Sequence, residues 1–97
     1  MLPSKTKTSF YRRLYIAYLI DSGCNTIPKI QSKIDIPRRT AQDTINALNE
    51  LDIECRFKGA QKNGHYYISS WGPFNIQWIQ DNANMLAQTL GYLSAPM

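Results

Sequence analysis

Residues 37–52 read PRRTAQDTINALNELD, and the fold turns on how this stretch divides between an inner and an outer face. Pro37 opens it where the first turn of a helix leaves an N–H unpaired anyway, and the fixed φ of proline suits that turn. Ala41, Ile45, Leu48 and Leu51 then recur at three- and four-residue spacing on one helical face, while Arg39, Gln42, Asp43 and Asn46 fall on the other. One side is built to be buried and the other to be presented. Arg38 and Arg39 stand at the positive end of this helix, where two cations oppose the helix dipole unless an anion lies nearby.

Working backwards, IDIP at residues 34–37 forces a tight turn, because the residue before a proline avoids the α region. A short helix precedes it. Thr26 can cap that helix, Pro28 fits its first turn, and Ile27, Ile30 and Ile34 follow its period. Further upstream, Ser9 can cap a helix running to about Ser22, with Gly23 as its stop. Phe10, Leu14 and Ala17 mark one face of it and Tyr11, Tyr15 and Tyr18 a second. The tyrosine stripe reads as packing surface rather than as a base-stacking platform. Residues 1–8, with Pro3 and two lysines, are expected to form a flexible basic arm.

Downstream of Asp52 the period drops to two. Ile53, Cys55 and Phe57 alternate with Glu54, Arg56 and Lys58, and HYYISS at residues 65–70 is a second β-rich run. Gly59 and Asn63-Gly64 between them are turn formers, so the pair reads as a hairpin with a long tip. WGPF at 71–74 ends the sheet, and Asn75 can cap a last helix to about Leu93. There Ile76, Ile79, Ala83, Leu86, Leu90 and Leu93 form a heptad-like seam, flanked by Trp78, Met85 and Tyr92. The first half, near Trp78, is expected to cover the tyrosine stripe. Ile79, Ala83, Leu86, Leu90 and Leu93 are assigned to a homodimer interface, centred on Leu86 and Leu90.

Ninety-seven residues support one core. The net charge of +4 is unevenly spread: all eleven Lys and Arg lie between Lys5 and Lys62 with six of the seven acids, which leaves a nearly neutral tail. Such a balance favours an acidic partner. Cys24 and Cys55 lack a CxxC pair or a companion histidine and read as reduced thiols, with a redox disulfide as the alternative. Residues 12–24, RRLYIAYLIDSGC, have the outline of a short leader, but the apolar run holds two tyrosines and is followed by Asp21. Nothing approaches the ~18 consecutive apolar residues of a membrane span. A soluble, cytoplasmic protein is expected, without cofactor or metal.

Helix, short helix, tight turn, third helix and basic hairpin, together with IPRRTAQDTINALNELDI, resemble the winged helix-turn-helix of DeoR- and MarR-type bacterial transcriptional regulators. In those an SRRT or SxxT opening precedes ALxxLGxI and the wing. The similarity runs from Phe10 to Ile68. It implies an α+β, mainly helical fold with a winged domain over residues 9–71; by the apolar seam, residues 72–97 are expected to add a dimerisation helix to the same folding unit. It also implies that the third helix enters the major groove of double-stranded DNA and the hairpin tip reaches the backbone. On this resemblance Arg38, Arg39, Thr40, Gln42 and Asn46 take the recognition-helix positions, and Arg56, Lys58 and Lys62 those of the wing. The chain departs from the pattern at Asp43, where DeoR-type members usually carry a base.

No Gly-rich phosphate loop, metal-ligand cluster or nucleophile-base pair is present, so catalysis is not expected. Two roles stand: a sequence-specific DNA-binding regulator acting as a homodimer, and a protein-interaction module that uses the same scaffold without DNA.

Overall fold

A computed structural model describes residues 3–92. Within them the elements run α1 (Lys5–Asp21), α2 (Ile27–Lys33), α3 (Arg38–Leu48), a 3-10 turn (Asn49–Leu51), β1 (Glu54–Lys58), β2 (His65–Ser70), α4 (Ile76–Asp81) and α5 (Ala83–Leu90). This is the mainly helical order that the resemblance implies.

The central element is α1. Leu14, Ile16, Ala17, Leu19 and Ile20 are all buried, which is more than one stripe of a helix, and α2, α3, β2, α4 and α5 all touch it. It begins earlier than Ser9: Ser4 caps it by accepting from the Lys7 amide at 3.1 Å, and residues 5–8 of the expected arm are its first turn. Ser9 instead accepts from the Arg13 guanidinium at 2.6 Å. The helix stops at Gly23, whose φ of +109° turns the chain while the Cys24 amide donates back to the Leu19 carbonyl at 2.8 Å.

Both caps of the helix-turn-helix are found where expected or one residue away. Thr26 accepts from the Lys29 amide at 3.2 Å to start α2, and Pro37 is the residue before α3 rather than its first. Ile34 and Ile36 in the turn are buried, and the Gln31 side chain donates to the Ile36 carbonyl at 3.2 Å. The inner face of α3, Ala41, Thr44, Ile45 and Leu48, lies on α1; the one polar member, Thr44, donates to the Thr40 carbonyl at 2.7 Å.

The hairpin is antiparallel, pairing Arg56 with Tyr67, Phe57 with Tyr66 and Lys58 with His65, with an irregularity between Glu54 and Cys55. Its neck is closed by backbone. The Ile53 amide donates to Leu48 at 3.1 Å, and Gly72 packs so tightly on the Asp52 carbonyl that a Cβ there would collide with it. The Tyr66 amide donates to the Asn25 carbonyl at 2.8 Å, which fastens β2 to the loop before α2.

The C-terminal segment departs from the single long helix expected. At Asn82 the side-chain amide donates to the Trp78 carbonyl at 2.8 Å, and the backbone leaves helical geometry (φ −109°, ψ 13°), so α4 ends and α5 begins. The second helix closes at Gly91 (φ +75°), with the Tyr92 amide donating to the Ala87 carbonyl at 2.8 Å. Leu93 lies outside the described residues.

The seam faces inward. Ile79 is 1 % exposed, Leu86 0 % and Ala83 7 %, so these three fill the protomer's own interior instead of a two-fold interface. The physical reason is α1, whose broad apolar surface needs a lid that only α4 and α5 supply. The tyrosine stripe is covered by Tyr92, with its ring 5.9 Å from Tyr15 and its hydroxyl accepting from Arg12 Nε at 3.1 Å, while Trp78 stays 44 % exposed. Leu86→Ala is therefore expected to destabilise the folded protomer by about 2 to 5 kcal/mol, read as a lower urea midpoint at unchanged m-value. A cost below about 1 kcal/mol would return Leu86 to a surface role.

Candidate nucleic-acid interface

The docking of α3 decides which side chains it presents. With Ala41, Ile45 and Leu48 held against α1, residues Arg38, Arg39, Asp43 and Asn46 are exposed and Thr40 and Gln42 half-buried. Pro37 carries no side-chain acceptor, so no side chain caps the first N–H groups of α3. An open helix start flanked by two arginines is a site for an anion.

The hairpin stands beside this helix. Arg38 and Gln42 from α3 and Phe57, Gln61, Lys62 and Tyr66 from the hairpin line one cleft of about 540 Å³, floored by the start of α2. Arg38 and Lys62 are its two cations. Phe57 is 45 % exposed and meets Tyr66 edge-on at 4.9 Å. It does not reach the core, as its place in the alternation implied, but folds over the hairpin tip. Gly64 is needed for this, since a Cβ at that position would run into the Phe57 ring.

The residues assigned to the wing divide. Lys62 faces the cleft with Arg38, whereas Arg56 and Lys58 alternate to the opposite face of β1 from Phe57. Arg56 is also engaged: its guanidinium pairs with Glu54 at 3.2 Å and donates to Ser69 Oγ at 3.2 Å. Among the described residues that is the one close ion pair, and both side chains are well exposed. The third-helix set divides as well. Thr40 turns towards α1 and lines a recess of about 200 Å³ with Ser9, Arg12, Arg13, Asp43 and Thr44. Arg12 and Arg13 were absent from the candidates read from sequence. Their period on α1 is visible there, but not that α1 crosses the start of α3. Both line the same recess as Asp43, the residue at which the chain departs from the DeoR-type pattern.

Gln42 and Asn46, one turn apart, are joined. Gln42 Nε2 donates to Asn46 Oδ1 at 3.1 Å and to the Tyr66 hydroxyl at 3.3 Å. Tyr66 is thus a site residue that sequence reading placed only in a generic strand.

Two titratable groups outside the cleft are shifted by burial. Burial pushes the Tyr15 phenol up, helped by Tyr18, Cys24 and Tyr92 around it. Cys24 and Cys55 are free thiols, and burial pushes Cys55 from 9.0 up to about 11. No group of three or more metal-ligating side chains occurs among the described residues, and no helix among them is long and apolar enough to cross a membrane.

A short helix, a tight turn, a helix presenting a polar face and a hairpin standing beside it define the winged helix-turn-helix class. A family model described as winged helix-turn helix matches residues 5–90, and the chain belongs to that family. Among solved structures it is similar to a DUF2131 family protein from Shewanella amazonensis SB2B. The identity is 30 % and the TM-score 0.86, over 94 % of this chain and 91 % of that one. No curated protein matches the chain. Both α4 and α5 fall inside the family match, so they belong to the family's domain rather than being an addition to it.

The raised Cys55 pKa has a measurable result. The folded state holds that proton more tightly, so the stability it contributes is full below about pH 9 and is lost as pH climbs through about 11. At pH 8 the thiolate fraction of Cys55 is expected to be roughly 100-fold below that of the unfolded chain, and a thiol reagent should label it correspondingly slowly. Labelling at the unfolded rate would place Cys55 in solvent.

Proposed function

We propose that the chain is a sequence-specific double-stranded DNA-binding protein and a bacterial transcriptional regulator of the DeoR/MarR kind, cytoplasmic, without catalytic activity and acting as a homodimer. The observation that carries this is the uncapped start of α3, with Arg38 and Arg39 at its mouth and Lys62 of the wing across the same cleft. Family membership supports the same reading. In it α3 enters the major groove, Arg38, Arg39 and Lys62 meet phosphates, and the polar face between them meets base edges. Arg13 and Thr40 lie on the α1 flank of that face, where the neighbouring phosphate run would pass.

Replacing Arg38 and Arg39 together by Ala is expected to flatten the slope of log affinity against log salt by about two units, because each arginine displaces one counterion. Fluorescence titration of duplex DNA at several salt concentrations measures it. Wild-type protein that binds no duplex even at low salt would favour the protein-interaction role instead.

For the homodimer, Ile79, Ala83 and Leu86 are already committed inside the protomer, which leaves the end of α5. Leu90 there is half-buried and outside the main core cluster. Two copies joined through it would offer two α3 helices to half-sites about one helical turn, or a multiple of it, apart. Leu90→Glu is expected to give a folded monomer with weakened operator affinity, since the new carboxylate would be buried unpaired in the interface. Sedimentation of the wild type as a monomer at micromolar concentration would remove the dimer.

A further inference from the structure

Resting on the DNA-binding reading above, the amides of α3 can be assigned different tasks by counting their donors and acceptors. A glutamine amide has two N–H donors, and those of Gln42 have two protein partners, Asn46 Oδ1 at 3.1 Å and Tyr66 Oη at 3.3 Å. The Tyr66 hydroxyl also lies 3.4 Å from Gln42 Oε1, to which it donates, so it straddles the amide. Gln42 therefore has no N–H left for the N7 of a purine. Asn46 differs: its Oδ1 accepts one bond and keeps a second lone pair, and its Nδ2 donates to no protein group among the described residues while the side chain is exposed. One free acceptor beside a free donor is what adenine's N6 and N7 require in the major groove.

Tyr66 is a fixed point for this chain of contacts. Its amide is bonded to the Asn25 carbonyl at 2.8 Å, its ring meets Phe57 edge-on at 4.9 Å, and it packs against the core. We infer that Asn46 is the base-reading amide of α3, that it reads adenine, and that Gln42 and Tyr66 are positioning residues that lock the direction of its amide. Held by Gln42, Asn46 keeps Oδ1 on one side and Nδ2 on the other. Released, the amide can turn over and offer donor and acceptor in the reverse order, which no longer matches that adenine's edge. The wing thereby takes part in base selection through a hydroxyl that never touches DNA.

The test compares Asn46→Ala, Gln42→Ala, Tyr66→Phe and the Gln42→Ala/Tyr66→Phe double variant in selection from randomised duplexes, with melting temperature as the control. Asn46→Ala should lose preference at one adenine position, by roughly 5- to 150-fold, the span of one bidentate amide contact. Gln42→Ala and Tyr66→Phe should weaken preference at that same position and no other, at unchanged melting temperature. The double variant should be no worse than Gln42→Ala alone, as members of one relay are not additive. If Gln42→Ala alters a different base pair from Asn46→Ala, Gln42 reads its own base and the assignment is overturned. The same holds if Tyr66→Phe leaves the preference intact. A second readout needs no DNA: in the free protein the Asn46 side-chain NH2 resonances should shift or broaden in Tyr66→Phe, and unchanged signals overturn the relay. Failure of the wild type to bind any duplex overturns the reading role of Asn46, a result separate from those signals.

Discussion

The structure depends on covering α1. Its buried residues Leu14, Ile16, Ala17, Leu19 and Ile20 spread around most of the helix, so no single neighbour can remove them from water. The three-helix body and hairpin shield part of this surface, and α4 and α5 close the rest with Ile79 and Leu86. The C-terminal helices are thus a wall of the domain, and the family match extends through them. An apolar seam at heptad spacing looks alike whether it faces the protomer's own helix or a second copy. What distinguishes the cases is the demand of the partner surface, and α1 makes that demand first.

The presented face inherits its geometry from the same packing. Because α3 is clamped on α1 through Ala41, Ile45 and Leu48, its polar side chains cannot rotate away from solvent. The hairpin is then fastened at two backbone points, Ile53 to Leu48 and Tyr66 to Asn25, so its tip is held beside α3 rather than hanging free. A binding surface made from two elements benefits from such fixation, since each kcal/mol spent on ordering at contact is lost from affinity. The cleft between Arg38 and Lys62 and the bonds from Tyr66 to Gln42 both follow from it.

Much of this was legible in local sequence, and the rest was not for identifiable reasons. Thr26 with Pro28, the two faces of α3 and the alternation on either side of Gly59 and Gly64 each encode an element within one or two turns of chain. The start of α1 was missed because Lys5 to Thr8 show no apolar period, and the helix begins there through the hydroxyl of Ser4. The break at Asn82 was missed because the apolar spacing runs straight through it, while one amide-to-carbonyl bond ends α4. Within the site, the residue types at Arg38, Arg39, Gln42 and Asn46 could be read but not their partners. Tyr66 is twenty-four residues from Gln42, and Arg13 reaches the recess beside Thr40 only because α1 crosses the start of α3.

The chain has only a modest excess of cations, and residues 37–52 are themselves slightly acidic. Total charge governs long-range attraction, but affinity for a duplex follows from the cations that reach phosphates. Two of the eleven point away from the cleft: Arg56 is matched by Glu54, and Lys58 alternates to the other face of β1. Those that remain near α3 lie on both of its flanks, with Arg38 and Lys62 on the cleft side and Arg12 and Arg13 in the recess with Asp43 on the α1 side. The single acid on the presented face thus shares its recess with two of these cations. In the proposed DNA-binding role, so few charges flanking the helix would keep the sequence-independent part of binding small and leave discrimination to the amide chemistry between the flanks.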